Sequence, residues 1–183
     1  MFHVKRNERA VVQEASAALE LALSPSQIDR LIRYGELLRT RAIPLGLVSE
    51  RDHGRILSRH VLDSLRAATV IRPDDRRAYD LGSGAGLPGI PVAIAELGLS
   101  NARVMWGRVE ELSDPVDVCF ARAFAPLEPS WRAVVRLLRA GGRLVYFAGA
   151  SETRLPPLPG ASSAKLRPVP LLDSTGSLVI ITR

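Results

Sequence analysis

The chain has 183 residues, 46% of them hydrophobic and 24% charged, with a net charge of +6. This length predicts one main globular domain with a small helical extension, and no uncharged apolar run is long enough to predict a membrane span. A single cysteine, Cys119, excludes an intrachain disulfide, and no signal-peptide pattern is present, so we expect a soluble cytoplasmic protein.

Nearly all of the positive charge is carried by arginine, since only Lys5 and Lys165 are lysines. The planar guanidinium suits bidentate contacts to phosphate, which favours a nucleic-acid partner. The alternative is an arginine-rich composition spread over a solvated face, because the sequence contains no dense basic run.

Three helices are predicted ahead of residue 72. The first covers residues 8–23, and the second opens at Ser24 with a proline at its first position and Gln27 completing a capping box. The third runs from about residue 49 to residue 70, and on it Arg59 and His60 are spaced to pair with Asp63. Residues 1–72 are therefore predicted to form an N-terminal helical cap.

A glycine-rich loop at residues 82–89 follows a predicted strand at 78–81 and precedes a predicted helix at 90–97. Glycine allows positive φ and close approach of the backbone to a ligand. The G-x-G-x-x-G at 84–89 also fits a dinucleotide site, but Asp80 makes the arrangement D-x-G-x-G-x-G. A carboxylate there suits an amine-bearing cationic ligand and repels a pyrophosphate.

Strands and helices alternate after the loop. Strands are predicted at 102–106, 116–120 and 143–147, with a helix at 127–138, a short edge strand at 165–169 and a last strand at 177–182. Alternation predicts a doubly wound, Rossmann-like α/β sheet of parallel strands, finished by an antiparallel hairpin, over residues 73–183. Cys119 lies in an apolar run and is predicted to be a packed strand residue.

Four motifs in this order resemble the bacterial ribosomal RNA small subunit methyltransferase G family, also called glucose-inhibited division protein B. They are R-H-V-L-D-S-L at 59–65, the loop extended by L-P-G-I-P at 87–91, G-R-V-E-E at 107–111 and A-R-A-F-A at 121–125. The resemblance covers most of the chain, from residue 25 to residue 183.

The resemblance implies methylation of N7 of a guanine, guanine 527, in 16S ribosomal RNA of the small ribosomal subunit, with S-adenosylmethionine as donor and a monomeric enzyme. Asp80 is assigned by charge, and the other residues by their match to the motifs. The candidate donor-binding residues are Asp80, Gly82, Gly84, Leu87, Val109, Glu110 and Arg122, and the candidate RNA contacts are Arg59, His60 and again Arg122. We expect no metal site and no catalytic base, because N7 already offers a lone pair.

The sequence departs from the family pattern in three places. About two dozen residues, the size of one strand-helix crossover, are absent after the glycine-loop helix, and that unit carries the acid expected to bind the ribose. The family's A-L-K-G stretch is F-A-G at 147–149 without its lysine, and its W-N-x-x-x-N-L-T stretch is replaced at 40–47.

Two alternative functions remain open. The missing unit motivates a catalytically impaired descendant that still binds RNA or ribosomes. The G-x-G-x-x-G alone motivates a nicotinamide-dependent oxidoreductase, which predicts binding of NADH.

Overall fold

A computed structural model of the chain describes residues 2–96, 104–149, 154–169, 171 and 176–183. The residues group by contact into two units. The first comprises Met1–Thr69, Gly84–Ala102 and Leu171–Ser174, and the second comprises Val70–Ser83, Arg103–Pro170 and Thr175–Arg183. The division into a cap of residues 1–72 and a core of residues 73–183 stays a prediction.

The first unit begins with helices α1 (Phe2–Ala18) and α2 (Pro25–Leu37). The predicted capping box of α2 is confirmed, because Gln27 N donates to Ser24 Oγ at 3.3 Å and Ser24 N donates to Gln27 Oε1 at 2.7 Å. The two contacts give hydrogen-bond acceptors to backbone N–H groups that have no partner within the helix. A π-helical turn, Leu38–Ala42, continues α2.

The third predicted helix is a helical run whose pitch changes along its length. A 3₁₀ segment (Glu50–Arg55) leads into a π-helical segment (Ile56–Leu62), a single turn α3 (Asp63–Leu65) and a 3₁₀ turn (Ala68–Val70). Helix α4 (Gly89–Glu96), which follows the glycine loop, packs against α2 and α3 inside this unit. Among the described helices, none combines the length and the apolarity needed to cross a bilayer.

The second unit is built on a five-stranded sheet with the order β1-β2-β3-β5-β4. Pairing is parallel from β1 to β3 and antiparallel from β3 through β5 to β4, so the predicted parallel sheet with a closing hairpin is confirmed. The strands are β1 (Ala78–Leu81), β2 (Val116–Ala121), β3 (Leu138–Phe147), β4 (Ser163–Arg167) and β5 (Leu178–Thr182), and helix α5 (Leu127–Val134) lies between β2 and β3.

The core of the second unit lies between α5 and the sheet. Trp131 and Val134 of α5 are fully buried against strand residues such as Leu144, and Trp131 Nε1 donates to the Pro159 carbonyl at 2.9 Å. Cys119 of β2 is fully buried, and burial raises the pKa of its thiol to about 12. The prediction that Cys119 is a packed strand residue is confirmed.

Two predicted elements are wrong in the described part of the chain. Residues 104–106, predicted as the end of a strand, form no strand, and Trp106 is fully exposed. The helix predicted at 127–138 ends at Val134, because Leu138 pairs with Val116 and begins β3. Sheet pairing overrides the helix propensity of the sequence at 135–140. Residues 97 and 102–103 of the predicted elements lie outside the described residues.

A buried arginine ties the segment before β1 to the sheet. Arg143 of β3 is 1% exposed; its Nη1 lies 3.0 Å from Asp75 Oδ1, and its Nη2 donates to Asp75 Oδ2 and to the Val70 carbonyl. A buried guanidinium needs such partners, because an uncompensated charge in the interior is costly. The Asp75 carboxylate therefore fixes the chain that enters β1.

Replacing Asp75 with asparagine should lower the free energy of unfolding by about 3 kcal/mol, since it leaves the Arg143 charge buried and uncompensated. Urea denaturation followed by circular dichroism measures the change. The control is Asp114→Asn, whose partner Arg77 is half exposed and whose pair should contribute less than about 1 kcal/mol. Equal losses in the two variants would contradict this account.

Candidate functional site

The glycine loop begins in the second unit at Gly82, directly after β1. Gly82 has φ +59°, and a Cβ placed on it would lie 2.8 Å from Cδ2 of Phe124. Both the backbone conformation and the space therefore require glycine at this position. The backbone is left bare where the chain leaves the strand, which is the shape that close approach of a ligand requires.

In the first unit the loop continues through two more glycines with positive φ, Gly84 at +52° and Gly86 at +85°. A Cβ on Gly86 would lie 2.9 Å from Cγ1 of Ile90 and 3.1 Å from the hydroxyl of Tyr34. That hydroxyl, on α2, donates to the carbonyl of Ala85. The loop backbone is thus held by a buried tyrosine of the helix before it.

Leu87, the other loop residue of the first unit that the sequence singles out, is 9% exposed and adjoins the start of α4. Its burial shows that the side chain packs within the unit. A ligand at this position would therefore contact the backbone of Leu87 rather than its whole side chain.

Two predicted site residues of the second unit, Asp80 and Arg122, lie near the carboxyl ends of the neighbouring strands β1 and β2. Asp80 on β1 pairs in register with Phe120, and Arg122 comes directly after β2. Because parallel strands end at the same edge, the sheet brings Asp80, Gly82 and Arg122 to one edge.

Each of these two side chains is partly enclosed. The Arg122 guanidinium carbon lies 5.6 Å from the ring centroid of Phe147 at the end of β3, a cation–π arrangement. In the part of the chain that the structure describes, the Oδ1 atom of Asp80 is buried and accepts no hydrogen bond, although the residue makes another interaction. The edge thus presents one carboxylate and one guanidinium.

Val109 and Glu110 lie in a separate short 3₁₀ turn, Val109–Glu111. The turn is closed by Glu111, whose Oε2 accepts from Arg108 N at 3.3 Å and whose own N donates to the Arg108 carbonyl at 3.1 Å. Val109 is partly buried against the core of the second unit, and Glu110 is exposed. This leaves Glu110 accessible on a turn whose apolar side is anchored.

The predicted RNA contacts, Arg59 and His60, belong to the first unit and gather around a carboxylate that sequence reasoning missed. Asp52 is 8% exposed; its Oδ2 lies 3.0 Å from His60 Nε2, and its Oδ1 lies 3.0 Å from Arg55 Nη2 and 3.5 Å from Arg59 Nε. Burial acts to raise the pKa of Asp52, but the His60 hydrogen bond and the charges of Arg59, His60 and Arg55 together hold it below 3.8.

Sequence reasoning paired Arg59 and His60 with Asp63, and in the structure Asp63 Oδ1 accepts from Arg66 Nη1 at 2.7 Å. The sequence holds no clear signal for Asp52, since regular helices bring together residues three or four apart and Asp52 precedes His60 by eight. The backbone leaves helical geometry at Arg55, with φ −118° and ψ 12°, between the 3₁₀ segment that carries Asp52 and the π-helical segment that carries His60.

Comparison with known proteins gives a consistent result. A family model described as rRNA small subunit methyltransferase G matches residues 27–97. The chain is 37% identical over 210 residues to the ribosomal RNA small subunit methyltransferase G of Ralstonia nicotianae, with 94% of each chain covered. It is 32% identical over 209 residues to the protein of the same name from Neisseria meningitidis serogroup B, covering 98% of this chain and all of the relative.

The aligned spans exceed the 183 residues of this chain, so these relatives carry additional residues within the aligned region. Among solved structures, the S-adenosylmethionine-dependent methyltransferase SibL is similar with a TM-score of 0.40 at 15% identity, covering 80% of this chain and 55% of that one.

The lowered pKa of Asp52 predicts a pH-dependent contribution to stability. Because the pKa of Asp52 in the folded chain is below the unfolded value, its ionised form stabilises the fold above about pH 4, and this contribution is lost as the pH falls through the folded pKa. The difference in unfolding free energy between the natural chain and Asp52→Asn should shrink as the pH falls from about 5 to below about 4.

Urea denaturation at a series of pH values checks this. Asp29→Asn serves as the control, since Asp29 is an exposed carboxylate paired with Arg9 and should contribute less than about 1 kcal/mol. A difference for Asp52→Asn that grows toward acid pH would show that the sign is wrong.

Proposed function

Since the chain belongs to the rRNA small subunit methyltransferase G family, we propose that it transfers a methyl group from S-adenosylmethionine to N7 of guanine 527 in 16S ribosomal RNA. Family membership makes it a ribosomal RNA methyltransferase, and the atom and the nucleotide are the further content of this proposal. The observation that carries it is the glycine loop leaving β1 beside Arg122, at one edge of a parallel sheet.

The loop fits the donor through its bare backbone. Gly82 is exposed, so a ligand can lie against its peptide, while the Phe124 ring occupies the side from which a Cβ would project. Asp80, at the same edge, is the acid that would meet the cationic, amine-bearing end of the donor. The motif also assigns Gly84 and Leu87 of the first unit to donor binding, and that assignment rests on the loop sequence alone.

The remaining residues divide between donor and RNA. Val109 and Glu110 would contact the adenosine part, and Glu110 is the accessible carboxylate of that turn. Arg122 would face the donor or the guanine, held by Phe147. Arg59 and His60 would contact the RNA, with Asp52 fixing both side chains.

When bound, S-adenosylmethionine supplies an activated methyl group on a sulfonium. The lone pair of guanine N7 forms the new bond to carbon as the bond from carbon to sulfur breaks, and its electron pair remains on sulfur. No proton is removed, so the residues of this chain need only align the two reactants and stabilise the charge that moves to the guanine. Asp80 would supply negative charge, and the arginines would hold phosphates.

We expect the protein to act as a monomer in the cytoplasm on the small ribosomal subunit, with the target base presented unstacked. The second candidate function is an RNA- or ribosome-binding descendant without activity. The shorter chain favours it, because its relatives carry additional residues within the aligned region.

Methyl transfer tests the two candidates directly. Small subunits from a strain that lacks this methylation are incubated with the chain and radiolabelled S-adenosylmethionine, and 7-methylguanine is located by cleavage of the RNA at the modified base. Label at one guanine supports the enzyme. Absence of label while the donor binds would reject the enzyme, and subunit binding without donor binding would support the inactive descendant, which lacks a full donor site.

Gly82→Ala should raise the dissociation constant for S-adenosylhomocysteine at least about tenfold, because the new Cβ collides with Phe124 and shifts the backbone that the donor would contact. Isothermal titration calorimetry measures it. The control is Gly141→Ala, which also adds a Cβ at positive φ, +75°, but with no atom within 4 Å.

Both variants should lose about 1 kcal/mol of stability to the strained backbone, and Gly82→Ala should lose more because Phe124 must move, whereas donor affinity should fall only in Gly82→Ala. If the two variants bind the donor equally well, the loop at Gly82 does not touch it.

A further inference from the structure

An arginine outside every motif of the family resemblance donates hydrogen bonds to the turn that carries Val109 and Glu110. Arg136, in the turn that follows α5, donates from Nη1 to the Leu112 carbonyl and from Nη2 to the Val109 carbonyl, both at 2.7 Å. The planar guanidinium thus spans the carbonyl of the first residue of the 3₁₀ turn and that of the residue that follows the turn. Both distances are those of strong charge-assisted hydrogen bonds.

The two hydrogen bonds from Arg136 matter because the turn follows a stretch without regular structure. The described residues before it, 104–108, form neither helix nor strand and are exposed. Inside the turn, Leu112 N donates to the Val109 carbonyl at 3.2 Å, and the side chains of Val109 and Leu112 pack partly buried against the core. A single 3₁₀ turn has little stability of its own, so its conformation depends on these outside contacts.

We propose that Arg136 is a positioning residue for the adenosine part of the methyl donor. It acts through the turn, by holding the Val109 backbone and thereby the direction of Glu110, and it does not touch the donor. This inference rests on the proposed function, which assigns Val109 and Glu110 to the adenosine.

A neighbouring arginine allows the effect of the two Arg136 hydrogen bonds to be distinguished from a general effect of positive charge. Arg132 lies one turn earlier on α5 and lines the same surface groove as Glu110 and Arg136. It pairs instead with Glu128 on its own helix, at 2.6 Å, and it is 70% exposed. Removing either arginine removes one positive charge beside Glu110, but only Arg136 holds the turn.

Four proteins are compared by titration calorimetry with S-adenosylhomocysteine: the natural chain, Arg136→Met, Arg136→Lys and Arg132→Met. Loss of the two charge-assisted hydrogen bonds in Arg136→Met should raise the dissociation constant about tenfold. Lysine keeps the charge but cannot span both carbonyls, so Arg136→Lys should fall between the natural chain and Arg136→Met. Arg132→Met should change affinity less than about twofold. Equal effects of Arg132→Met and Arg136→Met would overturn the proposal, and so would an unchanged affinity in Arg136→Met.

A double-mutant cycle shows whether Arg136 acts through Glu110. In a Glu110→Gln background the effect of Arg136→Met should shrink to less than about threefold, since the group that Arg136 positions no longer carries its charge. Full additivity of the two substitutions would reject this route.

Amide hydrogen exchange in the absence of donor provides a readout independent of the proposed function. The amides of Glu111 and Leu112 should exchange faster in Arg136→Met than in the natural chain. In Arg132→Met their exchange rates should equal those of the natural chain. If exchange responds but the natural chain binds no S-adenosylhomocysteine, the proposed function fails and the positioning role is rejected with it. If the natural chain binds and exchange does not respond, the proposed function stands and Arg136 does not hold the turn.

Discussion

The parallel pairing of β1 with β2 is the constraint on which the candidate donor site depends. β1 is only four residues long and, among the described residues, pairs with β2 alone, so its position is set from one side. Carboxylates secure its entry: Asp75 is bound by the buried Arg143, and Asp117 Oδ2 accepts from the backbone N of Arg76 and Arg77 at 2.9 and 3.0 Å. Because this end is fixed, Gly82 and Arg122 leave neighbouring strands at one edge, which no property of the loop alone would secure.

The shortened chain changes what the rest of the site has to do. Relatives carry further residues within the aligned region. The motif order predicts that this chain lacks a strand-helix crossover with the acid expected to bind the ribose. Within the described sheet, β1 is an edge strand, and the exposed residues 104–106 do not replace its missing neighbour. In the proposed site, the adenosine end of the donor is then left to the turn at Val109 and Glu110. Arg136, which follows α5, donates hydrogen bonds to that turn. In a chain with fewer strands, these hydrogen bonds matter more for the conformation of the proposed adenosine site.

Local sequence signals predicted the local structure well. The capping box at Ser24, the strand at Ala78–Leu81 and the left-handed glycines of the loop each follow from a few adjacent residues, and the structure has them where the sequence indicates. The prediction failed where tertiary pairing decides: Leu138 joins β3 through Val116, although the sequence at 135–140 favours helix. Side-chain partners distant in sequence carry no such signal. Arg143 meets Asp75 across 68 positions, and Asp52 meets His60 across eight, with a departure from helical backbone at Arg55 between them. Of the candidate site, the motifs identified the residues, but not the groups that hold them.

We propose that this chain, although it lacks residues that its relatives carry, binds a methyl donor at the glycine loop. Isothermal titration calorimetry of the natural chain with S-adenosylmethionine tests it most directly, with NADH as the competing ligand. We predict one molecule of S-adenosylmethionine bound per chain with a dissociation constant on the order of 10 μM, and no binding of NADH. Absence of S-adenosylmethionine binding up to about 1 mM, or binding of NADH in its place, would contradict the account.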